Sequence, residues 1–294
     1  MNHQYRQDAL NLMQRLCAYV SSLQAASSGI AQTTDYTVQR STIEQVFRMT
    51  SGANYNQQSI VQRLIVVDSL YATNAKYSYY ALDRMAEAIS QLGTEQAAEE
   101  YFYAIACGGE DSKKLFRARY GIRKNLKEGS RQLSLMSKYA YYTLLQNKVV
   151  YPYGFPIYDS LAVEMYPAVC KHLCLPVQKI SDASIEPYVA ALTQVRKAFF
   201  GVAPTLVGGL QQFDILDTYL WRMGKLGKGN YSQILGQQDY TTLTQNLGLK
   251  EEASEGFNDK VLLRSRTQST SSVVAGITCA TSMGQMIDHW KQYF

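Results

Sequence analysis

Two charged residues in the middle of the chain, Lys138 and Asp159, have residue types and settings suited to covalent chemistry on a sugar. Lys138 lies near the start of an apolar stretch with helical periodicity, and Asp159 follows an extended segment that contains Pro152 and Pro156. A lysine amine that is partly withdrawn from water loses some of its preference for the charged form, and the neutral amine can form a Schiff base with a sugar aldehyde. A carboxylate opposite it would stabilise positive charge developing on the sugar ring. A solvated lysine and a helix-capping aspartate give the same pattern, so both alternatives stay open at this point.

The scaffold that carries this pair is predicted from apolar residues that recur at helical spacing. A β-branched run at 65–67 would also fit a strand, but the helical pattern continues beyond it. Because strand signals are few, the predicted fold class is mainly α. Helices are predicted over 8–26, 57–71, 81–91, 94–106, 132–147, 160–173, 186–200, 213–224 and 283–293.

The predicted domain organisation has three parts. Residues 1–44 hold an N-terminal helix and a polar connector at 31–41, and residues 45–230 form a helical core. A Gly-Lys-Gly-Asn sequence at 227–230 reads as a linker. Residues 231–294 are less regular and form a C-terminal extension.

The most basic window of the chain spans residues 112–131. The whole chain has a net charge of +5, which permits a nucleic-acid partner without requiring one. A solvated helix face is one interpretation of this window, and a surface that contacts phosphates is the other. Its basic residues are Lys113, Lys114, Arg117, Arg119, Arg123, Lys124, Lys127 and Arg131.

Composition limits the remaining classes of function. The 23 tyrosines could stack on bases, although most are expected to be core residues. Five scattered cysteines form no disulfide framework, which suits a reducing compartment. Cys170, His172 and Cys174 lack the further ligands that a metal would need, so neither a metal nor a cofactor is expected. With no signal peptide and no run of about 20 apolar residues, a cytoplasmic protein without a membrane partner is expected.

Several motifs resemble those of a known superfamily. Segments 137–140 (Ser-Lys-Tyr-Ala) and 155–160 (Phe-Pro-Ile-Tyr-Asp-Ser) are similar to the Lys and Asp motifs of the helix-hairpin-helix DNA glycosylases. They resemble in particular those of bacterial proteins described as having an 8-oxoguanine DNA glycosylase fold. Segments 63–75 and 217–225 are also similar to these bacterial proteins, and the resemblance extends over residues 45–230.

The resemblance implies a helix-hairpin-helix glycosylase-like fold and a site. Lys138 would attack the anomeric carbon, Asp159 would assist, and Asn74 would fill the gap left by a flipped nucleotide. Separately from the resemblance, the phosphate-contacting interpretation of the basic window would assign DNA contacts to Arg117, Arg119, Arg123, Lys124, Lys127 and Arg131. The sequence departs from the superfamily at 129–136, where the Pro-Gly turn whose amides bind a phosphate is missing.

Three hypotheses for function stay open. The first is a DNA N-glycosylase, with or without lyase activity, that excises a modified purine. The second is an inactive module that recognises a nucleobase or nucleic acid and serves partner proteins in a bacterial anti-phage system such as CBASS, where proteins of this resemblance occur. The third is a structural partner protein held together by the extension at residues 236–294.

Overall fold

The structure is a computed structural model that describes residues 35–71, 73, 80–122, 128–172, 175–227, 249–251 and 263–265. The helices predicted at 8–26 and 283–293 lie outside these residues. Within them the chain forms eight α-helices and two short hairpins, so the prediction of a mainly α protein is confirmed. The helices are α1 (Asp35–Met49), α2 (Gln57–Tyr71), α3 (Ala81–Ser90), α4 (Glu95–Ala106), α5 (Leu133–Leu145), α6 (Ser160–His172), α7 (Glu186–Phe200) and α8 (Gln212–Gly227).

Helix α1 begins inside the stretch that the sequence predicted to be a polar connector. Its polar residues are compatible with a helix because Arg40 pairs with Glu44 one turn later, with 2.9 Å between Nε and Oε1. Ile43 and Phe47 on the same helix are fully buried. The predicted end of α8 was also wrong, because the helix passes Gly224 and ends at Gly227.

The basic window contains a β-hairpin that the sequence did not predict. Strand β1 (Tyr120–Ile122) pairs antiparallel with β2 (Glu128–Ser130), with Tyr120 opposite Ser130. Gly129 makes this pairing possible, since a Cβ at that position would lie 1.7 Å from the Tyr120 carbonyl oxygen. The described part of the window is therefore not a helix, although Lys113, Lys114, Arg117 and Arg119 are exposed as the solvated interpretation expects.

The described residues fall into two compact units. The larger unit holds 35–158 and 178–215, and the smaller holds 159–177 and 216–227 with the hairpin of β3 (Leu249–Glu251) and β4 (Leu263–Ser265). In the larger unit α5 packs against α1, α2 and α4, and α4 also packs against α7. In the smaller unit α6 has a buried apolar side that includes Met165, Tyr166 and Val169.

Two polar side chains at the start of α8 join distant parts of the larger unit. The Gln211 amide Nε2 donates to the Leu144 carbonyl at 3.0 Å and to the Tyr151 carbonyl at 2.8 Å. Asp214 accepts two hydrogen bonds from the Arg40 guanidinium, at 3.1 and 3.0 Å. Gln211 is fully buried and adds a side-chain hydrogen bond to a carbonyl at the end of α5 that also accepts the Asn147 N–H at 3.3 Å.

Among the described residues no helix is both long enough and apolar enough to cross a membrane.

Candidate functional site

Helix α5 carries Lys138 into the interior of the larger unit. Side chains on every side of this helix are buried, and its apolar residues therefore surround the lysine. Lys138 is only 4% exposed. Its Nζ donates a 2.6 Å hydrogen bond to the Ser134 hydroxyl and lies 5.1 Å from the ring centroid of Tyr71. The amine therefore has an oxygen partner and a π face close to it in a largely dry setting.

A second tyrosine fixes the ring beside the lysine. The hydroxyl groups of Tyr71 on α2 and Tyr142 on α5 are 2.7 Å apart, and their ring centroids are 6.2 Å apart. Tyr142 is fully buried and also contacts the Phe47 ring, with centroids at 5.7 Å. This contact and the hydroxyl pair hold the Tyr71 ring in place beside the Lys138 amine.

The loop that precedes Asp159 is fastened to the lysine helix. The Tyr158 backbone N–H donates to the Ser137 hydroxyl at 2.8 Å, and that hydroxyl donates to the Ser134 carbonyl at 3.1 Å. On its other side the Ile157 carbonyl accepts a 2.5 Å hydrogen bond from the Tyr188 hydroxyl. Hydrogen bonds to α5 and α7 therefore hold the loop up to Tyr158, the residue before Asp159.

Asp159 caps the start of α6 in the smaller unit. Its Oδ1 accepts a 2.7 Å hydrogen bond from the Leu161 N–H, and its carbonyl accepts one from the Val163 N–H at 3.0 Å. This is the geometry of an N-cap aspartate, with the carboxylate at the positive end of the helix dipole. The structure thus places Lys138 in the larger unit and Asp159 in the smaller one.

The described residues of the predicted DNA-binding set have different surroundings. Arg117 forms an ion pair with Glu186, and the carboxylate weakens the attraction of the guanidinium for an external anion. Arg119 is exposed and lines a hollow of about 340 Å³ together with Arg84 and an exposed Tyr80. Arg131 is half-buried directly before α5, and its Nε has no hydrogen-bond partner among the described residues. The assignment of these residues to DNA stays a prediction. Asn74, Arg123, Lys124 and Lys127 lie outside the described residues.

A second hollow, of about 480 Å³, lies beside α4. Its lining includes Glu95, Glu99, Asn147 and Tyr151. Burial raises the pKa of the Glu99 carboxyl group, and the 2.6 Å hydrogen bond from the Asn147 amide opposes that rise. Glu95 instead forms an ion pair with the buried Arg63. The hydrogen-bond partners that these carboxyl groups find within the protein indicate structural roles.

The cysteine segment at 170–174 contributes one described side chain. Cys170 is a buried free thiol, and burial raises its pKa against the lowering effect of a hydrogen bond with Tyr166. Cys174 and the side chain of His172 lie outside the described residues. The prediction that this segment holds no metal stays a prediction.

Comparisons with protein-family models, with curated proteins and with solved structures each found no match. The description of Lys138 as a candidate site residue therefore depends only on the geometry of this chain.

Sequence reasoning missed the partners of the lysine amine. Ser134 was detectable, because residues four apart on a helix are neighbours on its surface. Tyr71 was not, because it lies on another helix, and only the packing of α2 against α5 brings it to Lys138.

Proposed function

We propose that the chain is a DNA N-glycosylase that excises a modified purine and then cleaves the abasic strand, with Lys138 as its nucleophile. The observation that carries this proposal is the setting of the Lys138 amine, which is buried and directed at a hydroxyl oxygen 2.6 Å away. Lysines that act as nucleophiles through Schiff bases are characteristically desolvated, whereas most lysines extend into water. The resemblance of segments 137–140 and 155–160 to the glycosylase motifs supports the same residue.

The proposed reaction has two stages. The neutral amine attacks the anomeric carbon C1′, and the glycosidic bond breaks as the base leaves with the bonding electrons and takes up a proton. Opening of the sugar then gives a Schiff base, and loss of a proton from C2′ expels the 3′ phosphate oxygen. Water hydrolyses the imine and returns the free amine. The resemblance assigns the stabilisation of positive charge on the sugar ring to Asp159.

The burial of Lys138 constrains the substrate. A sugar within an intact duplex cannot reach an amine that is 4% exposed, so the nucleotide must leave the base stack. We assign the accompanying phosphate contacts to the basic window. Its exposed Arg119 lines the same hollow as the exposed ring of Tyr80 and as Arg84, which is paired with Glu87. An arginine near an accessible ring suits phosphate binding and base stacking.

A second candidate is favoured by the same burial. An amine already hydrogen-bonded to Ser134 and placed against Tyr71 can also act as a fixed internal cation. The missing Pro-Gly turn at 129–136 removes one route to a DNA phosphate. These two observations favour a module that recognises a nucleobase or nucleic acid without cleaving it. Service to partner proteins in a bacterial defence system would follow only from the resemblance.

Borohydride trapping separates the two candidates. The protein is incubated with labelled duplexes that contain 8-oxoguanine, uracil or an abasic site, and the imine is reduced to a stable adduct. We expect an adduct in the wild type and none in Lys138→Gln. A matched control is Lys148→Gln, which removes an exposed lysine that donates to the Gly209 carbonyl.

Lys138→Arg is the second variant, since arginine keeps the charge but is not a Schiff-base nucleophile. Because this variant keeps the charge, it separates loss of the nucleophile from loss of the adduct through unfolding. Circular dichroism checks that every variant is folded. An adduct that persists in folded Lys138→Arg, or no adduct on any of the three duplexes, contradicts the proposal. In the latter case binding that weakens steeply with salt would support the recognition module.

A further inference from the structure

Ser134 lies one helical turn before Lys138 on α5, and their side chains meet. The Ser134 side chain is partly accessible, whereas Lys138 is buried. Helical side chains lean toward the N-terminus of their helix, so a lysine naturally extends over the residue four positions earlier. The 2.6 Å distance between Nζ and Oγ is at the short end of the range for hydrogen bonds.

The lysine side chain is long, and its conformational freedom lowers the rate at which its amine can form a covalent bond. Ordering a lysine costs up to about 2 kcal/mol of rotamer entropy, which a nucleophile must otherwise lose when it reacts. Here the hydrogen bond from Nζ to Ser134 and the contact with the Tyr71 ring restrict the amine from two directions. The hydroxyl pair of Tyr71 and Tyr142 keeps that ring from turning away.

We propose that Ser134 is a positioning residue for the Lys138 nucleophile, an inference that rests on the proposed function. The hydroxyl of the partly accessible Ser134 holds the amine in one rotamer, so that the side chain need not search for the orientation in which it attacks an extruded nucleotide. Misplacing a reacting group by about 1 Å costs on the order of 100-fold in rate. Removing the hydroxyl therefore lowers the rate of the covalent step and leaves binding of the DNA unchanged.

Single-turnover trapping with excess protein over an abasic duplex tests this role. Ser134→Ala is expected to lower the maximal rate of adduct formation by about 10- to 100-fold, with a half-saturating protein concentration within threefold of wild type. Ser134→Thr keeps a hydroxyl at the same place and should recover most of the rate. Alanine is the best helix former, so the helix itself is not weakened by the substitution.

A matched control removes a different hydroxyl from the same helix. Thr143→Val deletes a group that donates to the Tyr139 carbonyl at 2.9 Å, and its trapping rate should stay within threefold of wild type. If wild type forms an adduct and Ser134→Ala forms it equally fast, the inference fails while the proposed function stands. A loss in Ser134→Ala that Ser134→Thr does not restore also overturns it. If wild type forms no adduct at all, both fail together.

Discussion

The ion pair between Arg63 and Glu95 allows a quantitative prediction about stability. Arg63 is fully buried, and its Nη2 lies 2.6 Å from a Glu95 oxygen, with the rings of Phe47 and Tyr55 at 4.8 and 5.1 Å from its guanidinium carbon. Replacing Glu95 by Gln leaves the guanidinium without its counter-charge in the interior. Breaking a buried pair in this way costs about 3–5 kcal/mol.

The expected magnitude lies at the lower end of that range. The Glu95 side chain is 14% exposed, so water reaches part of the pair, and glutamine still offers an oxygen acceptor. We therefore expect Glu95→Gln to lower the free energy of unfolding by about 3 kcal/mol. Urea unfolding followed by circular dichroism measures this change, provided that the slope with denaturant is unchanged.

A control and a double variant make the test specific. Glu100→Gln removes an exposed carboxylate from the same helix and should change stability by less than about 0.5 kcal/mol. Arg63→Met combined with Glu95→Gln removes both charges and should be more stable than Glu95→Gln alone. A Glu95→Gln variant as stable as the Glu100→Gln control would refute the reasoning.

Two further predictions concern Glu99 and the hairpin. Because burial raises the pKa of Glu99 in the folded state, its contribution to stability is present at acid pH and lost as pH rises from about 4 toward neutrality. The melting temperature of wild type relative to Glu99→Gln should fall over that range, and a rise would contradict the sign. Gly129→Ala places a Cβ against the Tyr120 carbonyl and should cost about 2 kcal/mol or more, with faster amide exchange in β1. Exchange unchanged from wild type would show that the hairpin tolerates the methyl group.

Helices with an apolar periodicity were predictable, and those that depend on polar pairs were not. Thr94 was expected to open a helix, and its hydroxyl does accept the Ala97 N–H at 3.1 Å. Helix α1 was missed because Arg40 and Glu44 read as a solvated stretch until the partner Asp214 is known. The hairpin was missed because its strands are three residues long and carry no alternation.

The sequence predicted which residue the candidate site contains, but it did not predict the residues that surround it. The sequence placed Lys138 on a helix near its start, and the structure has it on that helix but in the middle of its 13 residues. Its burial and its contact with Tyr71 depend on which helices pack together, and periodicity does not encode such pairings. Asp159 was anticipated at a helix start, where it caps α6.

The hydrogen bond from Gln211 to the Leu144 carbonyl joins the end of the lysine helix to a residue 67 positions later in the chain. During synthesis α5 is complete long before Gln211 emerges, and until then the Leu144 carbonyl has only local partners, such as the Asn147 N–H at 3.3 Å, or water. A contact this distant in sequence forms late, because a long loop has to be closed before it is gained. A chain that ends before residue 211 would therefore retain Lys138 and Ser134. It would lack the hydrogen bond from Gln211 to the carbonyl at the end of their helix.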